Sequence, residues 1–185
     1  MSSYETYPIE VAGVKRDLRL FTIKPGIRIA ILNILGDTEF VQAVSKALSE
    51  KLRVHSIEVI VTPEAKSIPL AHALSVDLNL PYVVLRKTYK PYMGEALRSE
   101  TLSITTGEKQ TLFLDEKDRE LIKGKRVAIL DDVISTGSTL QGMRLIMEKA
   151  GANVAVETAI FTEGDRAKWS NIVALGHLPI FFDEK

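Results

Sequence analysis

The chain has 185 residues, 45% hydrophobic and 26% charged, enough for one substantial buried core with a small appended subdomain. Lys+Arg and Asp+Glu both total 24, so no global basic field recruits nucleic acid or a membrane surface. No apolar stretch approaches the ~20 residues of a membrane span, and the absence of cysteine removes disulfide and thiolate chemistry.

The polar start, MSSYETYPIE, offers no apolar signal core; with the lack of cysteine it sets the expectation of a cytoplasmic protein. Residues 1–26 read as irregular or short extended pieces punctuated by Pro8, Gly13, Pro25 and Gly26. Ile27–Leu35 is β-branched and apolar, hence a strand. Gly36-Asp37-Thr38 supplies a helix cap, and Phe40, Val41, Val44, Ala47 and Leu48 form one helical face. Ile57–Val61 is a second strand, ending at Thr62-Pro63. Leu70, Leu74 and Leu78 continue as a helix stopped by Pro81, and Tyr82–Leu85 is a third strand. Residues 86–96 are polar and turn-like. Thr101–Thr106 and Gln110–Leu114, with Gly107 between them, read as a hairpin. Val127–Leu130 is a further buried strand; Leu140, Met143, Met147 and Ala150 mark a helix capped by Gly151; Val154–Phe161 is the next strand. Strands alternating with helices predict an α/β fold with a doubly wound parallel sheet. His55, His72 and His177 are isolated, show no metal-ligand spacing, and read as structural or surface residues.

The most informative segment is residues 127–139, VAILDDVISTGST. A buried strand opens through small residues into a helix, and such a loop presents unpaired N–H groups to an anion, phosphate above all. Asp131 and Asp132 ask for a different partner, because neighbouring carboxylates repel unless cations or hydroxyls satisfy them. A phosphorylated sugar meets both needs. No GxxxxGK[ST] stretch and no strand-borne GxGxxG competes for the role.

This segment resembles the phosphoribosyl-diphosphate (PRPP) signature of type I phosphoribosyltransferases: four apolar residues, two acids, two apolar residues, then a Ser/Thr-Thr-Gly-x-Thr loop. The resemblance spans residues 27–162. It implies that Ser135, Thr136, Gly137, Ser138 and Thr139 hold the 5′-phosphate and that Asp131 and Asp132 hold the ribose hydroxyls. It also implies a hood from residues 1–26 with a C-terminal hood or edge segment at 163–185, and a flexible inserted hairpin near 88–115. Ala65, Lys66 and Ser67 resemble the family's diphosphate loop, where a glycine often replaces Ser67. A left-handed backbone there would cost serine about 1 kcal/mol or more. Arg86, Lys87 and Lys90 resemble the diphosphate-binding basic cluster, and Val133 the apolar platform for the base.

For base choice, Ser135 stands where the hypoxanthine/guanine branch typically carries an aspartate near purine N7, so the segment is more similar to the adenine and xanthine branches. The Glu-Tyr pair that many adenine enzymes carry before the hairpin turn is replaced by Thr105-Thr106, which leaves Glu95, Glu100 and Glu108 as proton-transfer candidates. The hairpin and the EAKSIP loop are also similar to the PRPP-binding domain of the bacterial purine repressor, which binds PRPP without transfer. A DNA-binding element has no room in the first residues. The resemblance therefore implies a purine phosphoribosyltransferase of purine salvage, adenine favoured, using magnesium carried by PRPP, as a homodimer.

Overall fold

The computed structural model describes residues 4–102 and 109–182. The N-terminal segment, expected as irregular or short extended pieces, forms two long strands, β1 (Thr6–Val11) and β2 (Val14–Lys24), which continue as a meander into β3 (Ile27–Ile31). Val14, Arg16, Leu18 and Leu20 take the more buried side of β2, and charges at Lys15, Asp17 and Arg19 take the other. The charged residues disguise this period-two pattern. Ala12 and Gly13, both at positive φ, form the two-residue turn.

The strand expected over Ile27–Leu35 stops at Ile31 and pairs antiparallel with β2, outside the parallel sheet. Beyond it Leu32 and Ile34 dive into the core, and Asp37 caps α1 (Thr38–Leu52) by accepting from the Phe40 N–H.

Next come β4 (Val59–Pro63), α2 (Ile68–Leu78) and β5 (Tyr82–Leu85), close to expectation. Asn79, left-handed, closes α2 just ahead of Pro81. The hairpin is β6 (Leu97–Leu102) and β7 (Lys109–Leu114). Its turn, including Thr105, Thr106, Gly107 and Glu108, lies outside the described residues. A short helix, α3 (Glu116–Ile122), was not expected; its charged EKDRELI offers almost no apolar period, and Asp115 caps it. Then follow β8 (Arg126–Ile134), α4 (Ser138–Ala150), β9 (Asn153–Glu163), β10 (Val173–Leu178) and β11 (Ile180–Phe182).

The central sheet runs β10-β9-β8-β4-β5 with every pair parallel, and β11 joins β3 in the N-terminal sheet. Helices α1 and α2 share one core with the N-terminal sheet, built around Ile34, Phe40, Leu48, Leu70 and Leu74. Leu112 and Leu114 of the hairpin share the other with Met143 and Met147 of α4. From β4 the chain winds outward to β5, then returns to β8 and winds the other way. The direction switches between β4 and β8, and in open α/β sheets it is beyond the carboxyl ends of the strands at such a point that ligands bind, in the crevice the switch leaves. Among the described residues no helix is long and apolar enough to cross a membrane.

Candidate active site

Both sequence-selected loops leave the sheet at this switch point. Asp131 and Asp132 remain within β8, and the chain then turns through Ser135–Gly137 into α4. Gly137 caps the helix at φ 86°, and a Cβ there would stand 2.6 Å from the Trp169 ring. Backbone conformation and space therefore both require glycine. The Thr136 and Ser138 hydroxyls bond each other at 3.1 Å, and Thr139 donates to Gln110 Oε1 at 3.1 Å. Thr101 donates to the Ser138 carbonyl, so the described base of the hairpin is fastened to the loop. Among the described residues the Thr136 and Gly137 N–H groups have no backbone partner. Beside them lies an open hollow of about 90 Å³ lined by Asp131, Val133, Ser135, Thr136, Gly137 and Thr139, and the Ser138 N–H leans on Thr136 Oγ1 at 3.4 Å.

The carboxylates are partnered across the switch point. Asp131 accepts from Ser67 Oγ at 3.1 Å and from the Asp132 N–H at 2.9 Å. Asp132, 7% exposed, faces Lys66 Nζ at 3.4 Å through Oδ2, a buried oxygen whose contact is this ion pair rather than a hydrogen bond. Burial first, then the Asp132 charge, pushes Asp131 up to about 8. Without a ligand the pair thus holds one negative charge more readily than two.

Residues 64–67 connect β4 to α2, and the Glu64–Ala65 peptide is cis. Ser67 lies at φ −80°, in the right-handed region, so the cost that a left-handed backbone would put on serine does not arise. Ala65 and Lys66 are exposed, and Lys66 Nζ also reaches the Leu32 carbonyl at 3.4 Å. Arg86 is not an open cation but pairs with Glu64 at 3.1 Å. The Lys87 N–H donates to Glu64 at 2.9 Å and, with Arg86, holds that carboxyl below its ordinary range. Lys87 and Lys90 are exposed, and among the described residues neither ammonium is engaged.

Val133 is half-buried and lines the hollow. Of the proton-transfer candidates, Glu100 points to the exposed face of β6, opposite the buried Ser99 and Thr101. Glu95 is exposed, with its N–H on Glu116, and Glu108 lies outside the described residues. Among the described residues no group of three His, Cys, Asp or Glu is placed to hold a metal.

Sequence reading missed three contributors. Glu163, at the exit of β9 and 5% exposed, accepts the Ser135 hydroxyl at 2.5 Å. Burial raises its carboxyl, and the Ser135 bond pulls the other way. Trp169 donates to the Glu163 carbonyl at 3.0 Å and covers Gly137. Lys168 donates to the Thr136 carbonyl at 2.9 Å and lies over the Trp169 ring. A weak signal existed for Glu163: it stands two residues beyond the apolar run Ala159–Phe161, at a strand exit like that of Asp131.

Residues 31–174 match the phosphoribosyl transferase domain family. The purine biosynthesis transcriptional repressor of Bacillus subtilis is 32% identical over 133 residues, 72% of this chain and 46% of the repressor. A hypoxanthine/guanine phosphoribosyltransferase of Methanococcus voltae is 39% identical over 110 residues, 60% of this chain and 55% of that protein. The chain thus spans about half the length of these two relatives. An adenine phosphoribosyltransferase of Thermosipho africanus is 32% identical over 166 residues, 86% of this chain and 94% of that one. The fold is that of the adenine phosphoribosyltransferase structure from Thermoanaerobacter pseudethanolicus, with a TM-score of 0.65 at 21% identity over 94% of this chain and 95% of that one. Signature, sheet order and family match converge: the chain belongs to the phosphoribosyltransferase family.

Proposed function

We propose that this protein transfers the phosphoribosyl group of PRPP to a ring nitrogen of a purine, releasing diphosphate, with adenine as the favoured acceptor. The observation that carries the reading is the juxtaposition at the switch point. An N–H cradle, two carboxylates and a lysine-bearing loop lie side by side, in the order in which PRPP carries its 5′-phosphate, ribose and diphosphate.

The 5′-phosphate sits on the amides at the start of α4, and this remote binding energy positions the reacting carbon. Asp131 and Asp132 receive the ribose hydroxyls. As diphosphate departs, positive charge grows on the ribose ring, and the two carboxylates stabilise it without forming a bond. Lys66 faces the departing group, joined by Lys87 and Lys90; Arg86 is freed only if Glu64 releases it. Magnesium would arrive on the oxygens of PRPP and on water, since among the described residues no group of three His, Cys, Asp or Glu is placed to hold it and Asp132 Oδ2 is faced by Lys66. Such an ion supplies charge neutralisation to the diphosphate. The proposed assembly is a homodimer in the cytoplasm, as the family resemblance implies, and sedimentation measures its mass.

Adenine is favoured because Ser135, not a carboxylate, occupies the loop position beside the base platform Val133. A second reading, a 6-oxopurine enzyme, draws on the Methanococcus voltae relative and on the Glu163 carboxylate behind Ser135. The repressor relative raises a third outcome, PRPP binding without transfer. One assay separates them: PRPP and magnesium with adenine, guanine, hypoxanthine and xanthine in turn, following nucleotide formation. Adenine turning over fastest supports the reading. Faster hypoxanthine or guanine replaces adenine, and PRPP binding with no nucleotide from any base ends the enzyme assignment.

A further inference from the structure

The peptide between Thr136 and Gly137 is the least constrained part of the phosphate loop. Gly137 sits at φ 86°, and glycine passes between positive and negative φ with little cost. A flip of this one peptide would put the Thr136 carbonyl where the Gly137 N–H had been. A donor for an anion would become an oxygen that repels it. Among the described residues neither the Thr136 nor the Gly137 N–H has a backbone partner that resists such a flip.

The segment after β9 supplies the resistance. Its single helical turn, Ala167–Trp169, is steadied by Asp165, whose Oδ1 accepts from the Ala167 N–H at 2.9 Å. From there three contacts meet three successive loop residues. Glu163 takes the Ser135 hydroxyl, Lys168 Nζ donates to the Thr136 carbonyl at 2.9 Å, and the Trp169 ring lies against Gly137. Lys168 is exposed, yet its ammonium is placed, 4.4 Å from the centre of the buried Trp169 ring. Ordering an exposed lysine costs rotamer entropy, and one surface bond to a carbonyl does little to offset it for folding. Neither Lys168 nor Trp169 lines the hollow. The Thr136–Gly137 peptide is trans, so its N–H points opposite to its carbonyl and away from Lys168.

We propose that Lys168 is a positioning residue for the 5′-phosphate, acting through this peptide and not by touching the phosphate. It holds the Thr136 carbonyl out of the hollow and so keeps the Gly137 N–H turned toward the anion. This rests on the PRPP reading above. A cation on the carbonyl also polarises the peptide and makes its N–H a stronger donor. Glycine gives the loop the conformation it needs, and Lys168 removes the second conformation that glycine also permits.

Ribose 5-phosphate, which carries this phosphate and no diphosphate, is the probe. Its affinity is measured by calorimetry, and the Gly137 amide is followed by NMR, in the wild type, Lys168→Met and Lys168→Arg. Methionine keeps an apolar stem on Trp169 and removes the donor. In Lys168→Met the dissociation constant rises about 10-fold, the size of one charge-assisted hydrogen bond, and KM rises for PRPP but not for the base. The ligand-free Gly137 amide signal broadens or splits as the flipped peptide becomes populated. Lys168→Arg still reaches the carbonyl and restores both the affinity and the single signal. Unchanged affinity in Lys168→Met overturns the inference. So does weaker binding with a single sharp Gly137 signal, because the lysine would then act as a bare charge. A wild type that binds neither ribose 5-phosphate nor PRPP overturns the PRPP reading as well.

Discussion

The two loops that flank the acidic pair are built on opposite plans. Ser135–Thr139 is made of small residues, and what it offers a 5′-phosphate in the proposed reading is backbone amides held by a left-handed glycine and a helix start. The loop at residues 64–67 and its neighbour Arg86 work through charged side chains: Lys66 with Asp132, Glu64 with Arg86. The first is finished before any ligand arrives. The second is a set of internal ion pairs that a diphosphate bound as proposed would have to rearrange. The Thr136 and Gly137 amides have no backbone bond to give up to a phosphate, whereas Lys66 would have to share itself between Asp132 and the proposed ligand. The comparison predicts an all-or-none response to mutation in one loop and a graded, salt-sensitive one in the other.

The largest effect is expected at Gly137. Gly137→Val forces a branched side chain into positive φ and against the Trp169 ring, and PRPP binding should fall below detection in calorimetry with magnesium. Retained affinity would show that the loop is structural only.

Between the loops, Asp131→Asn together with Asp132→Asn should lower turnover by at least ~100-fold while the chain stays folded, since electrostatic support of this kind is worth a few kcal/mol. A folded double variant with full activity contradicts the role given to the pair.

Lys66→Met should weaken PRPP binding by roughly 10-fold and flatten its dependence on ionic strength, because one charge-assisted contact is removed and others remain. Titrations at two salt concentrations check it. A loss as complete as that at Gly137 would erase the distinction between the loops.

The smallest effect concerns stability. Asp131 is raised to about 8 in the folded protein, against about 3.9 for an unfolded aspartate. Between those values the folded state holds the extra proton, so stability is greatest at the acid end of that window and is lost as pH rises through it. The melting temperature of ligand-free protein should therefore fall from pH 5 to pH 8, and Asp131→Asn should flatten the fall. Parallel slopes in the two proteins would remove the pair as its cause.

The same contrast explains what was legible in the sequence. The backbone loop announces itself, because a strand exit, a Gly and a helix period are local and contiguous. So do Asp131 and Asp132, and the strands at Tyr82–Leu85 and Val154–Phe161. The ion-pair loop does not. That Glu64 engages Arg86, or that Lys66 meets Asp132, depends on the lateral order β8-β4-β5, which no local pattern encodes. Glu163 was hidden for the same reason: its partner Ser135 lies 28 residues away, brought near only by the pairing of β8 with β9. The N-terminal meander was missed because charged residues occupy its exposed side, and because its Ala12-Gly13 turn is not among the strongest hairpin signals.

The most direct test of the central claim is a crystal structure of the protein soaked with PRPP and magnesium in the absence of base. The 5′-phosphate should rest on the amides of Thr136–Thr139, the ribose hydroxyls on Asp131 and Asp132, and the diphosphate beside Lys66 and Ser67. A 5′-phosphate bound at the 64–67 loop, or PRPP bound away from the β4–β8 crevice, would contradict the account.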